Sequence, residues 1–219
     1  MHSLGFLVST TIIIGIVAYY IFFNFIKYFS RIIIANQAIN YNSKYTLKFH
    51  CIHITMAACY NILSFIFSLQ AIKFYTTYFL CIGYFTLSHM LSSLDSKFKY
   101  VPNILLIALF IIANVLYVVR HNLYETLPFV ILGFSYCFYF IIHSFSKKEV
   151  IGIGDIWFFS SSGIFLESFF ASQYAYIFES LLISSLFGCF FYLMYKVEKI
   201  PFIPCMLASL IIVSFYHAA

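Results

Sequence analysis

The stretch NILLIALFIIANVLYVV, residues Asn103 to Val119, contains no charged side chain. Its 17 residues match the lower end of what a helix needs to cross a bilayer, about 17 to 25. Seven further runs of this kind surround it: Leu4–Ile26, Cys51–Gln70 and Phe74–Leu94 before it, and Leu127–Phe145, Ile156–Ser172, Tyr174–Tyr195 and Ile200–Tyr216 after it. Hydrophobic residues make up 63% of the chain and charged residues 9%, and the mean hydropathy of +0.98 lies far outside the soluble range. The expectation is an all-α, polytopic membrane bundle of eight helices. So little sequence lies between the runs that residues 1–219 form a single integral membrane domain. The first run is too long for the apolar part of a secretory signal and lacks a basic start and a small-x-small cleavage site, so it reads as a span.

Lysine and arginine collect in cytoplasmic connectors. Lys27, Arg31, Lys44, Lys48, Lys97, Lys99, Lys147, Lys148, Lys196 and Lys199 fall in alternate connectors, and only Lys73 and Arg120 fall in the others. Both termini are therefore expected outside the cytoplasm. This asymmetry also accounts for the net charge of +5, which leaves a nucleic-acid partner nothing to explain.

The connector from Lys27 to His50 is the longest polar stretch and contains no cysteine. At its end, His50-Cys51-Ile52-His53 crowds three potential ligands too closely for one ion, with no fourth nearby. Cys51, Cys59, Cys81, Cys137, Cys189 and Cys205 stand singly in or beside apolar runs, as small hydrophobes. No disulfide framework, metal or cofactor is expected.

The chain has two aspartates, Asp95 and Asp155, so a two-aspartate mechanism has no other candidates. Asp95 closes the third run and, read alone, is a solvated loop charge. Asp155 closes Gly152-Ile153-Gly154-Asp155 and, read alone, is an N-cap for the sixth run, whose positive dipole end suits it. The glycines permit positive φ and close approach of another backbone. Two crossings separate the aspartates, so parity puts both on the cytoplasmic face. Two carboxylates sharing a proton can take one proton from water and give another to a peptide carbonyl or leaving amine. Glu167 and Glu179 lie inside apolar runs, where an ionised carboxylate costs about 2.5 to 3.5 kcal/mol, so pairing, protonation or nearby water is expected for each. Glu167 is about 18 Å from Asp155 along its helix, which points to a packing role. Pro102 suits the first turn of the fourth helix, because its missing N–H would be unpaired there. Pro201 and Pro204 stiffen the entrance to the last helix.

These residues together resemble the type IV prepilin peptidases, membrane aspartic proteases of the G-x-G-D type. In that family the first aspartate precedes a Pro-Asn by seven residues, as Asp95 precedes Pro102-Asn103 here. The second closes G-x-G-D, and a late Lys-x-Pro-Phe-x-Pro matches Lys199-Ile200-Pro201-Phe202-Ile203-Pro204. The resemblance covers the chain from about Phe74 onward. It implies that Asp95 and Asp155 are catalytic, that Gly152, Gly154, Pro102, Lys199, Pro201, Phe202 and Pro204 shape the site, and that the substrate is a prepilin or pseudopilin. Such a substrate carries a short basic leader that is cut at the cytoplasmic face of the inner membrane. Glu149 and Glu198 would attract that leader. The chain departs from the family pattern at Trp157, commonly a lysine, and at Ile203, commonly a glycine. It also lacks the long, cysteine-paired insertion after the first span that accompanies N-methylation, so cleavage without methylation is expected. An archaeal preflagellin peptidase shares these motifs. A transporter or secretion scaffold is the non-enzymatic alternative and would raise the standing of Glu167 and Glu179. The Pro-Ala-Leu and Tyr-Asp segments of the presenilin type are absent.

Overall fold

The computed structural model describes residues 46–69, 74–98, 101–121, 127–145, 152–170, 175–195 and 201–218, together with the separate positions Ile13, Gly15, Val17, Ile21, Asn24 and Tyr28. Among the described residues all regular structure is helical. The seven helices are α1 (Thr46–Leu69), α2 (Phe74–Phe98), α3 (Asn103–His121), α4 (Leu127–Phe145), α5 (Ile153–Phe169), α6 (Ala175–Tyr195) and α7 (Phe202–Ala218). They correspond one to one to the second through eighth apolar runs. The separate positions from Ile13 to Tyr28 are helical as well, and the rest of the first run lies outside the described residues. Gly15 lies directly against the side chain of Asn61, whose Oδ1 accepts a hydrogen bond from Tyr78 at 3.0 Å.

Hydropathy misjudges several boundaries. Helix α1 begins five residues before Cys51, so Thr46 to His50 of the long connector are helical. Helix α2 continues four residues beyond Leu94 and takes in Asp95. Serines do not stop a helix whose backbone bonds continue, whereas the residue before a proline resists the α conformation, and Val101, next to Pro102, is not helical. Helix α5 opens three residues before Ile156, inside the glycine turn, and closes at Phe169.

Helices α3 and α5 run parallel. At their starts Gly154 faces Leu106 and Val101, and at their ends Arg120 Nε donates to the Ser168 carbonyl at 3.2 Å. Helix α2 runs against α3, to which a short connector joins it. Helix α7 runs with α5: its Ile203 meets Asp95 at the end of α2, and its His217 meets Phe170, just beyond α5. Helix α6 lies antiparallel against α7, with Glu179 and His217 2.7 Å apart. One end of the bundle therefore holds Asp95, Pro102, Asp155 and Pro201–Pro204, and the other holds Arg120, Glu167, Glu179 and His217.

Helix α5 is the hub, packed against α3, α4, α6 and α7 and buried almost throughout from Ile156 to Phe169. Because its neighbours are protein, it tolerates Ser160, Ser161 and Ser168, whose hydroxyls donate to the carbonyls four residues back, each at 2.8 Å. Tyr84 of α2 donates to Ser162 at 3.3 Å and stacks on Phe165 with ring centroids 4.3 Å apart. Phe67 of α1 stacks on Phe169 at 4.2 Å.

Among the described residues, two helices are long and apolar enough to cross a membrane: Asn103–His121, mean hydropathy 2.2, and Tyr176–Met194, mean hydropathy 1.8.

Arg120 departs from the one-sided charge pattern for a structural reason. Its Nε satisfies a carbonyl that the last turn of α5 leaves open, and its guanidinium sits 4.9 Å over the Phe169 ring. Arg120→Ala removes both contacts and should cost about 1 to 2 kcal/mol. Thermal unfolding in detergent will show a lowered midpoint, and Arg120→Lys will restore only part of it, because an ammonium lacks the planar fork.

Candidate active site

Asp95 stands in the last turn of α2, partly buried. It is not a loop charge: its Oδ2 accepts a hydrogen bond from the backbone N–H of Ile203 at 3.2 Å. That donor belongs to the first turn of α7, where backbone N–H groups have no partner within their own helix. Asp95 thus caps a helix that begins more than a hundred residues later in the chain. Within α2, His89 lies six residues before Asp95 and pairs with Tyr60 of α1, Tyr60 Oη and His89 Nδ1 being 3.1 Å apart. Sequence reasoning did not single out His89. Its one visible signal was an imidazole inside an apolar run that ends in aspartate.

Asp155 is the third residue of α5 and not its N-cap, which is Gly152. The carboxylate folds back so that Oδ2 accepts the Gly152 N–H at 3.0 Å, while the Asp155 N–H donates to the Gly152 carbonyl, also at 3.0 Å. This is the acidic half of a capping box, and it is local, unlike the contact at Asp95. Gly152 has φ −79° and ψ 152°, ordinary extended backbone, so the positive φ that a glycine permits is not used there. A Cβ at Gly154 would meet Leu106 at 3.5 Å and Val101 at 4.0 Å, ordinary contact with side chains and not with another backbone.

Pro102 is buried and occupies the N-cap of α3, its carbonyl accepting the Leu105 N–H at 3.0 Å. That is one residue before the first turn in which it was expected. Pro201 immediately precedes α7, Phe202 is its first residue and Pro204 its third. Phe202 reaches across to Gly188 of α6, where a Cβ would lie 3.7 Å from its ring. Lys199, Glu149 and Glu198 lie outside the described residues.

The two departures from the family pattern have packing explanations. Trp157 is set edge to face against Phe110 of α3 (5.2 Å) and Tyr136 of α4 (6.2 Å), wedging three helices together. The Ile203 side chain is only 1% exposed and belongs to the core, so it anchors the start of α7.

Glu167 is buried near the end of α5, and Glu179 pairs with His217. Both are at the end of the bundle away from the aspartates. Cys59, Cys81, Cys137, Cys189 and Cys205 are free thiols. Among the described residues no group of three or more His, Cys, Asp or Glu could hold a metal ion.

A family model for the type IV leader peptidase family matches residues 81–193, just over half of the 219-residue chain. The chain belongs to the type IV leader peptidase family. No curated protein and no solved structure matches it. The matched stretch of this leader peptidase contains Asp95, Pro102-Asn103 and Gly152-Ile153-Gly154-Asp155 and stops short of the Lys199–Pro204 segment. The family makes the protein a peptidase, a hydrolase acting on a protein substrate, and its membrane-capable helices agree with a membrane protein.

Proposed function

We propose that this leader peptidase is an aspartic endopeptidase in which Asp95 and Asp155 form the catalytic pair, and that it removes the short basic leader of a type IV prepilin or pseudopilin at the cytoplasmic face of the inner membrane. The observation that carries the reading is geometric: both aspartates stand at one end of the bundle, and each has one carboxylate oxygen engaged by a backbone N–H. An eight-span, single-domain topology with both termini outside the cytoplasm fits this placement, and cleavage without N-methylation follows from the cysteine-free Lys27–His50 connector. Glu167 and Glu179, the carboxylates that a transport reading needs, lie at the opposite end.

The pair shares one proton, since two adjacent carboxylates resist ionising together. The ionised member takes a proton from water as the water oxygen attacks the scissile carbonyl carbon. The protonated member gives its proton to the carbonyl oxygen. As the tetrahedral diol collapses, the C–N bond breaks, the leaving amine takes up the proton first drawn from water, and one diol hydroxyl returns a proton to the second aspartate, which leaves the acid product and restores the shared proton. Co-expression with a tagged prepilin, in a host lacking its own peptidase, tests the reading by a gel shift of the pilin. Wild type should shorten it, and wild type inactive on several prepilins would overturn the assignment.

Neither glycine of the G-x-G is required by the backbone of the resting fold. At Gly152 an added Cβ would meet the Asp155 carboxylate at 3.4 Å, so this glycine leaves room beside Asp155 for an extended substrate strand. Gly152→Ala should keep the fold and raise KM about tenfold, the loss of about 1.4 kcal/mol of substrate contact. Steady-state kinetics on a leader peptide reads this, and an unchanged KM would refute it.

A further inference from the structure

The start of α7 supplies Asp95 with a backbone donor and withholds the next one. An α-helix opens with about four N–H groups that its own carbonyls cannot accept. In α7 these positions are Pro201, Phe202, Ile203 and Pro204. Prolines have no N–H, so only Phe202 and Ile203 can donate. A capping side chain ordinarily meets the N–H of the second or third helical residue. Asp95 meets the second, Ile203, at 3.2 Å, and the third is proline. The aim of the Ile203 N–H is secured by its side chain, which is 1% exposed within the core.

We propose that Pro201-Phe202-Ile203-Pro204 is a positioning element for the peptidase reaction. It presents the Ile203 N–H to Oδ2 of Asp95, and the proline at 204 keeps a second α7 donor away from that carboxylate. The inference rests on the aspartate-pair reading. N–H donors stabilise the ionised carboxylate, as does the positive end of the helix dipole. Two donors from α7 would hold Asp95 too firmly in its charged form, and none would release it toward the protonated one. Either change upsets the sharing of a proton with Asp155. Ile203 touches no reacting atom on this account; it acts through Asp95.

The test uses the full-length protein in lipid nanodiscs and two variants that push in opposite directions. Replacing Ile203 by its α-hydroxy acid analogue exchanges the N–H for an ester oxygen and keeps the buried side chain. Pro204→Ala adds an N–H at the third position and favours the helix. Infrared difference spectra against Asp95→Asn isolate the Asp95 carboxyl band as a function of pH, with no substrate required. The other titratable residues that the elements around Asp95 carry toward this end are Lys48, His50, Cys51, His53, Cys59 and Tyr60 of α1, His89 and Lys97 of α2, Asp155 of α5 and Cys205 of α7. The first two turns of α3 contribute none. The ester should move the protonation midpoint of Asp95 up by about one pH unit, and Pro204→Ala should move it down by a similar amount. Each variant should also lower kcat about tenfold on a leader peptide with KM unchanged, a split that a merely structural role would not produce. Midpoints unmoved in a protein that cleaves prepilin would overturn the positioning role and leave the aspartate pair intact. Midpoints that move in a protein that cleaves no prepilin would overturn the aspartate-pair reading and, with it, the catalytic use of this contact.

Discussion

Asp95→Asn and Asp155→Asn will each reduce prepilin cleavage by about 10⁴-fold, to the background of the gel-shift assay, while the protein still inserts and unfolds within a few degrees of wild type. The size follows from chemistry: an amide neither takes a proton from water nor gives one to a carbonyl, and positioned proton transfer contributes about 10² to 10⁴ for each group. Retention of the fold follows from geometry. Each carboxylate accepts a backbone N–H, from Ile203 at 3.2 Å for Asp95 and from Gly152 at 3.0 Å for Asp155. An asparagine oxygen accepts the same bond. Substitution by alanine would confuse the two effects, because it leaves the first turns of α5 and α7 short of an acceptor. Cleavage that persists in both asparagine variants would remove the catalytic assignment.

The largest loss of stability is expected at Phe165, far from the chemistry. Its fully buried ring stacks on Tyr84 at 4.3 Å, meets Phe85 edge to face at 5.0 Å, and lies 5.2 Å from Phe169 and 5.9 Å from Phe67. One side chain of α5 thereby joins α1 and α2 to the hub. In lipid, helices gain little from leaving an apolar solvent and are held by close packing and interhelical hydrogen bonds, so a hole at this point cannot be offset by exposure to acyl chains. Phe165→Ala should cost about 3 to 5 kcal/mol, and Phe165→Leu about half as much. Steric-trap or denaturant unfolding of the purified protein would measure both. An alanine variant within about 1 kcal/mol of wild type would show that the Tyr84–Phe165 stack is not a principal fastening of the bundle.

The elements were legible because apolar length needs no tertiary knowledge: the runs starting at Phe74, Asn103 and Leu127 begin where α2, α3 and α4 begin. The helix ends were less legible, because hydropathy reports on lipid and water whereas a helix ends where backbone bonding ends. Asp95 looked like a loop residue since polar side chains surround it, yet α2 runs on to Phe98. Asp155 looked like a cap since it borders the apolar run, yet the helix begins two residues earlier.

The two aspartates, their order, and the proline and glycine spacings around them are facts of covalent sequence, and they sufficed to indicate a membrane leader peptidase and its candidate pair. Helix-crossing parity could add that both aspartates belong to one end of the bundle, because each helix reverses the chain. Nothing local could show that Asp95 receives the N–H of Ile203, that Trp157 wedges α3 against α4, or that Arg120 closes the far end of α5. Those contacts join residues on different helices, more than twenty positions apart, and no periodicity in a sequence encodes which helix faces which. They are settled only when the helices pack, as buried rings interlock and the backbone groups left open at helix ends find partners on neighbouring helices.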